Sequence, residues 1–166
     1  MDIADIGAGS GYDTLRLARL IGPRGRVFAE DITPDYLRQL KGRVAEAGLK
    51  NVEIVEGAAG DPRLAPHSID AAVMVHMYHE IQRPMALLAR LASAFKPGGR
   101  LGIEELDRPT QAHGTPPKLL MCELAAAGYK LVGIKPLDGG IGYFAVFAPP
   151  TSRGTATGNE RKACRV

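Results

Sequence analysis

The sequence predicts an α/β domain on a mainly parallel sheet, and three observations carry that expectation. From Met1 to about Ala148, short β-type runs alternate with amphipathic stretches at helical spacing. A glycine-rich run, Gly7-Ala8-Gly9-Ser10-Gly11, separates the first strand-like run from the first helical one. The last two strand-like runs have only a loop around Pro136 to Gly140 between them, so they should form an antiparallel hairpin closing the sheet.

Taken in order, residues 3–6 read as a buried strand and residues 13–21 as a helix stopped by Gly22-Pro23. Residues 26–29 form the second strand. Thr33-Pro34 is a helix start, because Thr caps free amides and Pro suits the first helical position. Leu37, Leu40, Val44 and Ala47 recur on one face of that helix, and Gly48 ends it. Strands follow over 52–55 and 69–75. Met85, Leu88, Leu91 and Phe95 give the apolar stripe of a third helix. Lys96-Pro97-Gly98-Gly99 turns into a strand over 100–103, and a proline-containing connection leads to a helix over 118–127. Strands over 129–134 and 142–147 complete a seven-strand plan. Residues 149–166 are polar, rich in Gly and Thr and without periodicity, and read as a disordered basic tail.

The chain of 166 residues has a formal charge of +3, which invites a nucleic-acid or membrane reading. That excess lies wholly in the tail, where Arg153, Arg161, Lys162 and Arg165 face only Glu160. Acidic and basic side chains balance in the body, so no nucleic-acid face is expected. No apolar run approaches the ~20 residues of a membrane span, and no secretory pattern opens the chain. Cys122 and Cys164 are far apart in sequence, so neither a disulfide framework nor a zinc site is expected, and a reduced, cytoplasmic setting is the default.

The glycine loop carries the strongest chemical signal. Glycines there allow a sharp turn and close approach of a ligand, while the following helix offers free amides. Asp31 stands twenty residues past Gly11, at the end of the second strand, where a carboxylate can accept both hydroxyls of a ribose. The third glycine of a dinucleotide fingerprint would fall at position 12, where Tyr12 stands, and this argues against a nicotinamide site. Asp5, beside the loop, would repel a pyrophosphate but suits an ammonium or sulfonium. A ligand with adenosine at one end and a positive charge at the other satisfies both acids, and S-adenosyl-L-methionine answers that description.

With DIGAGSG as first motif, VFAEDITPDYL across the ribose acid, SIDAAVMVHMYHEI as fourth strand and FKPGGRLGIEE as fifth, the chain resembles class I S-adenosylmethionine-dependent methyltransferases over residues 2–147. The resemblance implies a Rossmann-like seven-stranded sheet in the order 3-2-1-4-5-7-6, helices on both faces, and a cofactor across the C-terminal edges of strands one, two and four. It places Gly7, Ala8, Gly9 and Gly11 along the methionine part, Asp5 at its amino group and Asp31 on the ribose, with Ile32, Ala59 and His76 also lining the cofactor. Glu30 competes with Asp31, but adjacent strand residues point to opposite faces, and the motif match favours Asp31.

Two departures stand out. Ala58 occupies a position where many family members carry an acid for the adenine amino group, leaving backbone amides around Ala59, or Asp61, to serve. The chain also starts almost at the first motif, without the usual N-terminal helices, which implies either a truncated form or an open site.

His76-Met77-Tyr78-His79-Glu80 follows strand four, beside the expected position of the transferred methyl group. Histidine suits a general base there, so His79 or His76 could take a proton from an acceptor that Tyr78 hydrogen-bonds. A purely structural role for the His-Glu pair is the alternative. Glu104 and Glu105 end strand five; one could face the pocket, where a carboxylate would favour a cationic or amine acceptor, but such pairs are more often solvated. Only His76 and His79 are close among the four histidines, and no Cys or acid completes a set of known spacing, so no metal is expected. The leading expectation is methyl transfer to a small-molecule acceptor. Cofactor binding without catalysis is second, and a nicotinamide-dependent oxidoreductase third. A homodimer would cover the exposed face of strand one, though nothing in the residues demands it.

Overall fold

The computed structural model describes residues 1–151 and Cys164; most of the expected tail lies outside the described residues. In chain order the elements are β1 (Asp2–Ile6), α1 (Tyr12–Ile21), β2 (Arg26–Asp31), α2 (Pro34–Glu46), β3 (Val52–Glu56), β4 (Ile69–Val75), α3 (Pro84–Ala94), β5 (Phe95–Leu106), α4 (Pro117–Ala126), β6 (Lys130–Pro136) and β7 (Gly142–Ala148). Short 3-10 turns occupy Tyr78–Glu80 and Thr110–Ala112. The seven strands form one sheet in the order β3-β2-β1-β4-β5-β7-β6. Only β7 runs antiparallel to its neighbours, β5 and β6.

Strand alternation divides the core between the two faces of the sheet. Phe28 joins the larger cluster, with Ala4, Ile6, Met74, Ile103 and the α3 residues Leu88 and Leu91. Ala29, its neighbour, joins Leu15 of α1 and Leu37, Leu40 and Val44 of α2 on the other face. Burying each such aliphatic side chain contributes about 1.5–3 kcal/mol, so these two stripes fix the helices against the sheet. The same parity governs the acids that follow, placing Glu30 with Phe28 and Asp31 with Ala29.

Several details differ from the sequence reading. Thr33 makes no side-chain cap; instead its amide donates to Asp31 Oδ1 at 2.8 Å, turning the strand end into the helix start. Phe95 ends the helical stripe as the first residue of β5, and the Lys96-to-Gly99 turn loops out between the Ile69–Phe95 and Ala71–Arg100 pairs. β6 is an edge strand whose seven residues are all exposed.

The cysteines need a correction. Cys122 on α4 and Cys164 form a disulfide across 42 residues, with Cα atoms 5.6 Å apart. Separation along the chain gave no hint of this, because the tertiary fold alone decides which Cα atoms approach within bridging distance. Among the described residues no helix is long and apolar enough to cross a membrane.

Candidate cofactor and acceptor site

β1 delivers the chain to the C-terminal edge of the sheet at Ile6, where the run 7–11 turns back into α1. Gly11 shows why this turn needs glycine. Its φ is +91°, and a Cβ there would lie 2.1 Å from Leu40 Cδ1 of α2. The loop is tied down by Ala8 N donating to Glu30 O at 2.8 Å and Gly11 N to Ala8 O at 2.9 Å. At Gly9, by contrast, a Cβ would meet nothing within 4 Å, so open space lies over the middle of the loop.

Three acids surround this loop, all buried. Asp5 Oδ2 accepts the hydroxyl of Thr14 on α1 at 2.5 Å, and burial pushes its carboxyl up to about 6. Glu30 Oε2 accepts the amide of Gly7 at 3.4 Å; burial raises it to about 7, against the opposing pull of that amide. Asp31 Oδ2 accepts the amide of Gly9 at 2.9 Å. The two adjacent acids thus grip the loop from opposite faces of β2. Glu30 is only 3% exposed. Its position is also held by Gly57, where a Cβ would fall 1.7 Å from Glu30 Oε1.

Ile32, just beyond Asp31, exposes 57% of its surface at this edge. Ala59 is exposed as well, in a small loop closed by reciprocal backbone bonds between Ala58 and Asp61. The Asp61 carboxylate accepts the amide of Arg63 at 2.9 Å, so it braces its own turn.

The segment after β4 approaches the loop through Met77, whose Cε lies 2.8 Å from where a Gly7 Cβ would sit. His76 adopts a left-handed φ of 51° and places Nε2 3.2 Å from Glu104 Oε1. His79 turns inward. Its Nδ1 lies 3.0 Å and 3.2 Å from the two carboxylate oxygens of Glu105, whose side chain is fully buried. The i, i+3 histidines therefore diverge to separate acids on successive residues of β5. The expectation of a solvated Glu104–Glu105 pair is corrected, since Glu105 shares the buried face of Leu101 and Ile103. Tyr78 is buried, and its hydroxyl donates to Glu123 Oε2 of α4 at 2.9 Å.

Sequence reasoning missed the pairing of Glu105 with His79, although strand parity from Ile103 was a usable signal. It also missed His113, whose ring stands edge-on to His79 with centroids 5.8 Å apart. Nothing in the local sequence signals that approach. A separate cavity of about 740 Å³ lies at the opposite sheet edge, around Lys96, Arg100 and Pro149. Lys96 is held there by Asp2 and Asp70, and Arg100 by backbone carbonyls, so its cations are already engaged.

A seven-stranded sheet of this order, with a glycine loop after β1 and an acid ending β2, defines the class I S-adenosylmethionine-dependent methyltransferase domain. The methyltransferase domain family matches residues 3–99, and the chain belongs to that family. It is 28% identical over 155 residues to an arsenite methyltransferase of Halobacterium salinarum, covering 82% of this chain and 39% of that protein. It is 29% identical over 111 residues to a ubiquinone/menaquinone biosynthesis C-methyltransferase of Pseudomonas fluorescens, covering 66% of this chain and 43% of that protein. The chain thus spans about two fifths of the length of these relatives. A SAM-dependent methyltransferase structure from Aquifex aeolicus superposes with a TM-score of 0.83 at 24% identity, over 89% of this chain and 81% of that one.

Proposed function

We propose that the domain binds S-adenosyl-L-methionine and methylates a small-molecule acceptor brought to the segment after β4. The observation that carries this reading is the open glycine loop gripped by Glu30 and Asp31, with Asp5 beneath it. Three buried acids around one loop favour a cationic ligand, and the space over Gly9 admits one. Asp31 would hold the ribose hydroxyls, Ile32 and Ala59 would border the adenine, and Gly7, Ala8, Gly9 and Gly11 would follow the methionine part, with Asp5 and His76 at its sides. The cofactor supplies a methyl group activated by a sulfonium charge.

The chain's own task is then alignment, exclusion of water and management of the acceptor's proton. His79 is the proposed base. Glu105 accepts from Nδ1, which fixes the tautomer and leaves Nε2 as the basic nitrogen. The Halobacterium relative is named for arsenite and the Pseudomonas one for a quinone pathway, and acceptors of that small size are the proposed class here.

Calorimetry with S-adenosylmethionine, S-adenosylhomocysteine and NAD tests the cofactor assignment; no binding of the first two at millimolar concentration sinks it. A screen of phenols, amines, thiols and trivalent arsenic then tests turnover. Tight cofactor binding with no S-adenosylhomocysteine formed would favour a second reading, a cofactor-binding domain without its own catalysis. The engagement of His79 by Glu105 and of Tyr78 by Glu123 is what supports that alternative.

A further inference from the structure

We infer that His79, Glu80 and His113 form a binding site for one divalent transition-metal ion, with zinc the best match. One ligand atom from each lies within 4.8 Å of the others. His79 and Glu80 come from the turn after β4. His113 closes the turn after β5, in a left-handed conformation with φ 57°. Methyl transfer as proposed above requires no metal, so this site is an addition to that reading.

The second observation is Glu105. Histidines that bind metals usually give their other ring nitrogen to a carboxylate or carbonyl, which orients the ring and raises its basicity. Here a fully buried carboxylate takes Nδ1 of His79, whose own side chain is 7% exposed. Nε2 is thereby aimed at the cluster, 3.8 Å from Glu80 Oε1. The ring that needs fixing is fixed, while Glu80 and His113 are exposed and free to rotate inward.

Two imidazoles and one carboxylate suit zinc, whereas magnesium and calcium prefer all-oxygen sets. Ligands about 2.0–2.2 Å from a tetrahedral ion stand roughly 3.3 Å apart, so small rotations of the two exposed side chains close the set. Three protein ligands leave a fourth position open. The metal and a transferred proton would use the same lone pair on His79, so the two roles alternate and do not coexist.

The test uses the full, tag-free chain stripped with EDTA and titrated with zinc against a chromophoric chelator. One equivalent should bind. His113→Ala, a change at the surface, should weaken binding at least ~10-fold, and Glu105→Gln by ~10–100-fold. His67→Ala, on a histidine bonded instead to Phe95 O, should change nothing. X-ray absorption of the loaded protein should show nitrogen and oxygen ligands with two imidazoles. Absence of stoichiometric binding, wild-type affinity in His113→Ala, or sulfur in the coordination shell would each overturn the site. No cofactor or acceptor enters the measurement, so its failure is distinct from failure of the methyl-transfer reading.

Discussion

Asp31 accepts the amide of Gly9 at 2.9 Å, so the carboxylate proposed for the ribose also closes the glycine loop over the sheet edge. Its other oxygen takes the amide of Thr33 at the start of α2. One side chain therefore joins β2, the loop and α2. The acid next to it, Glu30, reaches only the first glycine of the loop and is the more deeply buried of the two.

Cofactor affinity should report this difference. Asp31→Ala is expected to weaken S-adenosylmethionine binding by about tenfold or more, roughly 1.4 kcal/mol, and Glu30→Ala by clearly less. Calorimetry on both variants checks it; equal losses would reverse the assignment.

Gly57 and Glu30 should behave as a coupled pair. A methyl group at Gly57 would overlap Glu30 Oε1 at 1.7 Å, and overpacking of this kind costs about 1–3 kcal/mol. Urea unfolding should show that loss for Gly57→Ala alone and a smaller one in a Glu30→Ala background. Additive effects would mean that Glu30 is not what excludes the side chain.

Stability should fall between about pH 4 and pH 7. Asp5 and Glu30 have folded values raised by burial to about 6 and about 7, above their ordinary 3.8 and 4.5. The folded state therefore binds more protons than the unfolded chain across this window. Stability from each group is full below the ordinary value and is lost as pH rises through the folded one. At ~1.4 kcal/mol per pH unit the two shifts are worth at most about 3 kcal/mol for Asp5 and about 3.5 kcal/mol for Glu30. Asp2 and Asp70, held below the usual range chiefly by Lys96 and the Asp2 amide, act at lower pH. Thermal melts should show the decline, and Glu30→Gln should flatten its upper part; an unchanged slope would count against Glu30 as a source.

The Cys122–Cys164 bridge predicts no free thiol in denatured, unreduced protein. Reduction, or Cys122→Ser, should lower unfolding free energy by about 4 kcal/mol for a loop of this length. Two titratable thiols before reduction would show that the bridge does not form in solution.

Much of the fold was legible because it is written locally. The β4 run was read at its observed bounds, and the hairpin of β6 and β7 followed from the missing helix between them. Glycines 7, 9 and 11 marked their loop because few other residues accept positive φ so readily. The acceptor side was less legible. His79 and Glu105 are 26 residues apart, and their contact depends on β4 and β5 lying side by side in a particular register.

The strand order came from the resemblance of four motifs to a known family; by itself the sequence determined the α/β alternation, the glycine loop and the acid that ends β2. These depend on hydrophobic period, turn chemistry and short spacings, all carried by neighbouring residues. Only the tertiary structure decided that Glu30 is buried under Gly57, that Glu105 orients His79, that His113 joins them, and that the two cysteines meet. Each of those is a contact between distant segments, set by how helices and strands pack rather than by any local preference.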